Sequence, residues 1–163
     1  MKAILKNVML PFSTFEKAYK ILMSLTILIP VVFGIYMMMT MSTQGLNFEE
    51  YLNQSVWSNI QLVVSMLGLT WAYILFSIYQ NMDTEEGKAY IGFALWIMLI
   101  SQIAVSNLLI TIVVAITLYL MKVKFTQVMK LKIILQNKLI SLLMLFLLFF
   151  SFICSFVILR VGM

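Results

Sequence analysis

The stretch AYIGFALWIMLISQIAVSNLLITIVVAITLYLM, residues 89–121, decides how this chain is built. It runs for 33 residues without an Asp, Glu, Lys, Arg or His, and its two amides, Gln102 and Asn107, fall near its middle beside Ser101 and Ser106. Crossing a hydrocarbon core of roughly 30 Å takes about 20 helical residues. As one helix this run would be about 50 Å long. Strong tilt or protrusion would absorb the excess. A re-entrant hairpin tipped by Ser101, Gln102, Ser106 and Asn107 would do so too, but two halves of about 16 residues are each too short to span. A single long helix is the expectation.

Three further runs flank it: Tyr19–Met41, Ile60–Tyr79 and Leu139–Leu159. Apart from Lys20 at the edge of the first, none holds a charged residue. With 63% hydrophobic residues and a mean hydropathy of +1.05, the chain lies outside the composition of soluble domains. Backbone amides in lipid must be satisfied within each segment, so these runs read as helices. The short alternating segments of a membrane barrel are missing. The fold class is therefore all-α. The expected architecture is a polytopic integral membrane protein, a four-transmembrane-helix bundle with short amphipathic interfacial helices, forming one membrane domain over residues 1–163. The spans are expected at about 19–41, 60–79, 89–121 and 139–159. Lysine outnumbers arginine ten to one, and Ile, Met, Phe and Asn are abundant. That pattern suggests an AT-rich coding genome, hence a bacterial protein, multi-pass in the cytoplasmic membrane.

The connections carry the charge. Residues 1–18 mix Lys with Leu, Val, Met and Phe, interrupted by Pro11, which suits an amphipathic segment on the membrane surface. No small-x-small cleavage pattern follows the first apolar run, so the first helix is expected to be retained. In Ser42–Asn59, Phe48, Tyr51, Leu52 and Val56 recur at helical spacing, which predicts a short interfacial helix anchored by Trp57. Gln80–Lys88 is a tight acidic turn whose Asp83, Glu85 and Glu86 lack the spacing of a cation site. The segment 122–138 sets Lys122, Lys124, Lys130, Lys132 and Lys138 among Phe125, Val128, Met129, Ile133 and Ile134, a basic amphipathic pattern suited to anionic headgroups. The bases flank apolar runs, so lipid and not nucleic acid is the expected charged partner.

Four crossings leave the orientation frustrated. Lys2, Lys6, Lys17, Lys20, Lys88 and Arg160 would share one side, and the five lysines of 122–138 the other. Six against five gives almost no bias under the rule that positive flanks stay cytoplasmic. The simplest reading is a fixed topology with one poorly placed basic loop. A re-entrant third segment would bring both basic regions to the cytoplasm, and dual topology, with copies inserting both ways, would also suit so small a bias.

The candidate functional residues are neutral. Gln102 and Ser106 are four apart, as are Asn107 and Thr111, so each pair shares a helix face. They either join neighbouring helices by hydrogen bonds or line a polar path. Ser65, Gly68 and Ala72, and likewise Ser151 and Ser155, place small residues along faces that permit close helix packing. Pro30 removes a backbone hydrogen bond in the first span, which membrane helices tolerate. Mid-span Trp71 reads as a packing residue, as do Met37, Met38, Met39 and Met41. Cys154 stands alone in apolar surroundings, where a thiol is inert. With no histidine and no carboxylate beside a nucleophile inside a span, neither catalysis nor a metal or other cofactor is expected. The expected function is a non-catalytic membrane protein acting by contact with another membrane component, as an accessory, regulatory, assembly or immunity-type subunit. The alternative is a small homo-oligomeric channel or exporter with a polar path along the third span.

Overall fold

The computed structural model describes residues 14–122, 128, 133 and 135–161, so the reading of residues 1–13 and of Lys124, Lys130 and Lys132 lies outside the described residues. The described residues form six helices: α1 (Phe15–Gln44), α2 (Phe48–Gln54), α3 (Val56–Tyr79), α4 (Glu85–Ala104), α5 (Leu108–Met121) and α6 (Lys138–Val161). Four of them, α1, α3, α4 and α6, are long and apolar enough to cross a membrane. Residues 15–18, assigned by the sequence to a surface segment, are instead the first turn of α1.

Side-chain caps set the boundaries. Thr14 accepts from Lys17 N at the start of α1, and Gly45 ends it in the left-handed region at φ 64°, where a residue without Cβ adopts the turn freely. Asn47 and Glu50 form a reciprocal capping box on α2, the short helix expected between the first two spans. Ser55 caps α3 and Thr84 caps α4.

The run 89–121 is not one long helix, and that expectation is corrected. It breaks at Val105–Asn107, and α5 folds back along α4, so that Met121 reaches the level of Gly92. At 14 residues, about 21 Å, α5 is too short to cross a hydrocarbon core. Folding back places α5 between α4 and α1 and removes the overhang that one 33-residue helix would leave.

Helix directions follow from paired contacts. Tyr19 stacks on Tyr79 at 5.8 Å, and its hydroxyl donates to Leu75 O at 2.7 Å, so α1 and α3 are antiparallel. Tyr90 meets Ser141 at 3.0 Å and Ser101 meets Ser151 at 2.6 Å, so α4 and α6 run parallel. Five helices thus pack side by side as α1, α3, α6, α4 and α5, with α5 returning to α1. α4 is the central element: 67% of its most apolar 18 residues are buried, against 17% for α1 and 22% for α6.

Most of the core lies toward one end of the bundle, with Tyr51 and Ile60 buried toward the other. Buried residues of α1 stop at Pro30, and those of α6 stop at Cys154 among its described side chains. On α3 only Ile60 is buried ahead of Leu67. The hairpin of α4 and α5 therefore occupies one end of the bundle, and its tip lies level with the midpoint of α1.

This connectivity redistributes the charge. Lys17 and Lys20 at the start of α1, Lys88 in the first turn of α4, Lys122 at the end of α5 and Lys138 at the start of α6 share one end. Five of the six described bases lie there; Arg160, with Glu49 and Glu50, lies at the other end. The six-against-five balance holds only if 89–121 is a single crossing.

Candidate functional site at the hairpin tip

The tip is closed by backbone hydrogen bonds. Ser106 N donates to Ile103 O at 3.0 Å, and Asn107 N donates to Gln102 O at 3.0 Å. With Ser106 left-handed at φ 57°, this is a Schellman termination of α4. Asn107, its last residue, is also the N-cap of α5, accepting from Ile110 N at 3.5 Å. One residue ends a helix and starts the next, which keeps the number of unpaired backbone groups at the tip low. The left-handed conformation costs a non-glycine residue roughly 1–2 kcal/mol. Ser106→Gly is accordingly expected to raise stability by about 1 kcal/mol and Ser106→Val to lower it, read by thermal melting in detergent.

Around the tip, Thr26, Ile29, Pro30, Val64, Ser65, Gly68, Gln102, Asn107 and Ile110 line a pocket of about 30 Å³. Pro30 lacks the amide that would bond the Thr26 carbonyl, and that oxygen would stand 3.6 Å from a β-carbon on Gly68. Pro30 Cγ would stand 3.1 Å from the same β-carbon, so a larger residue at 68 would press α3 away from α1. Gln102 is 4% exposed, and its amide has no hydrogen-bond partner among the described residues. The Ser65 hydroxyl likewise has none among them.

The sequence-derived site residues separate here. Gln102 and Asn107 meet at the pocket. Ser106 is exposed, and the Thr111 hydroxyl donates to Asn107 O at 2.8 Å within its own turn. Ser65 and Gly68 join Gln102 at the same pocket, while Ala72 is buried further along α3. Thr26 was not singled out by sequence; Pro30 four residues later was the available signal, because it frees that carbonyl.

Beside the pocket, Trp71 Nε1 donates to Ser101 Oγ at 3.3 Å. Ser151 Oγ donates its one proton to Leu147 O at 2.8 Å, so in the 2.6 Å Ser101–Ser151 contact Ser101 is the donor. Donation runs from Trp71 through Ser101 and Ser151 to the Leu147 carbonyl and ties α3, α4 and α6 together. Ser155 is half-buried. At the lysine end, Lys122 and Lys138 are exposed, and Val128, from the basic segment between them, is buried in the core. Compared with known proteins, the chain matches no family model, no curated sequence and no solved structure.

Proposed function

We propose that this chain is a non-catalytic membrane protein that works by contact with another membrane component, as an accessory, regulatory, assembly or immunity-type subunit. The observation that carries this reading is the one-sided core. Beyond Pro30, α1 buries nothing, and it exposes Val31, Val32, Ile35, Tyr36, Met38 and Met39. Beyond Cys154, α6 exposes Phe156 and Leu159. Helices in lipid associate through van der Waals packing and interhelical hydrogen bonds, and this half of the bundle uses little of either internally. The bias of five described bases to one supports an orientation with the lysine-rich end in the cytoplasm, of a bacterial cell on the compositional reading, and the open half toward the opposite face. Lys122, Lys138 and the lysines between them suit anionic headgroups on the cytoplasmic side.

A photo-crosslinking residue at Val32, Tyr36 or Met39, activated in native membranes, is expected to give a discrete protein adduct. The same residue at Leu142, lipid-facing on the lysine-rich half, is expected to give none. Adducts from Leu142 but not from α1, or purification of a lone chain that conducts solute, would defeat the proposal.

The channel or exporter reading draws on one observation, the meeting of Gln102 and Asn107 at the tip. It asks a pocket of about 30 Å³ to pass a solute. If it held, Gln102→Leu with Asn107→Leu would abolish flux in liposomes while the chain still folds.

A further inference from the structure

We propose that the pocket at the hairpin tip is an internal hydration site, holding one or two water molecules between α1, α3 and the α4–α5 tip. Its volume of about 30 Å³ admits that number, since one water needs on the order of 10–15 Å³. The pocket also offers the polar partners that a water needs. Gln102, only 4% exposed, lines it with an amide that no other described residue engages. Ser65 lines it with a hydroxyl in the same condition. The Thr26 carbonyl, relieved of its helical partner by Pro30, supplies an acceptor, and the Asn107 amide nitrogen a donor.

The mixture of donors and acceptors selects the ligand. An anion would meet the Thr26 carbonyl oxygen, which can only accept. A cation would meet the amide N–H groups and find about three neutral oxygens, half of what a hard ion requires. Water donates and accepts, so it satisfies both kinds of group at once. The placement gives it a structural task as well. The tip is where helical hydrogen bonding lapses in α1 at Pro30 and in the hairpin at Val105–Asn107, and both lapses face this pocket. A hydrated node there holds three helices in register without any charged side chain. This site stands apart from the open half assigned to partner contact, so either proposal can fail without the other.

The test uses the full chain in nanodiscs of deuterated lipid and measures magnetisation transfer from water to the Gln102 side-chain amide, assigned by its loss in Gln102→Leu. A water cross-peak is expected, unchanged when choline chloride is replaced by sodium or potassium chloride at equal ionic strength. Ser65→Leu, which fills the pocket, is expected to reduce that cross-peak at least several-fold while the protein still melts cooperatively. Three outcomes would overturn the proposal: no cross-peak in the wild type, a Gln102 shift specific to one cation, or a full cross-peak in folded Ser65→Leu. If Ser65→Leu does not fold, the wild-type cross-peak and its insensitivity to salt decide.

Discussion

Trp71→Ala is expected to lower stability by about 3–5 kcal/mol, the usual range for deleting a fully buried aromatic side chain. Trp71 heads the largest wholly buried side chains of the core, at 0% exposure, and projects from α3 toward α4. Its loss would remove the bulk that separates these helices and the donor that begins the chain through Ser101 and Ser151. Trp71→Phe separates the two effects, because it keeps most of the volume and loses only the N–H. Its expected cost has a hydrogen-bond part of about 1 kcal/mol. Unfolding by steric trapping in lipid, or melting in mild detergent, reads both. A Trp71→Ala protein within about 1 kcal/mol of the wild type would place Trp71 outside the core and undo the packing described for α3, α4 and α6.

Gly87→Ala is expected to be the most damaging small substitution in the chain. On an open helix the exchange stabilises by roughly 1 kcal/mol, through helix propensity. Gly34, inside α1, would have nothing within 4 Å of an added β-carbon and should show that gain. Gly87 should show the reverse. A β-carbon there would overlap the Asn81 carbonyl oxygen and stand 2.7 Å from Thr84 Oγ1. Neither atom is free to move: Asn81 O accepts from Thr84 N at 3.4 Å and from Thr84 Oγ1 at 3.2 Å, and Thr84 Oγ1 caps α4 by accepting from Gly87 N at 3.0 Å. Relieving the overlap means opening the turn between α3 and α4, a cost above the roughly 1–3 kcal/mol of ordinary overpacking. The readout is the yield of monodisperse protein and its melting temperature, with Gly34→Ala as the control of opposite sign.

The four apolar helices were legible because lipid leaves few choices: long runs without charge become helices, and their ends fall where Thr14, Ser55 and Thr84 supply caps. The short helix after the first span was legible from Phe48, Tyr51 and Leu52 at helical spacing. The break in 89–121 was visible only as an excess of length. A left-handed helix end is normally marked by Gly or Asn, and here the residue at φ 57° is Ser106, so the stop carried no ordinary signal. The amides of Gln102 and Asn107 marked the right place, but one face of a continuous helix and the tip of a hairpin contain the same residues. Ser65 and Gly68 read as a small-residue packing face. That Gly68 meets Pro30, with Ser65 turned to the same pocket as Gln102, depended on the register between α1 and α3, which no local pattern encodes.

The charge asymmetry and the tip pocket both depend on the hairpin. If α4 and α5 turn back on each other, Lys122 and Lys138 lie at the same end as Lys17 and Lys20, and five of the six described bases favour one orientation. In a Cys154→Ser background, single cysteines at Thr43, Glu85 and Gln136 would be treated with a membrane-impermeant thiol reagent on intact cells and on opened membranes. Thr43 is expected to label from outside, and Glu85 and Gln136 only after opening. Labelling of Gln136 together with Thr43, opposite to Glu85, would mean that residues 89–121 cross the membrane once, and would contradict the hairpin and the sites built on it.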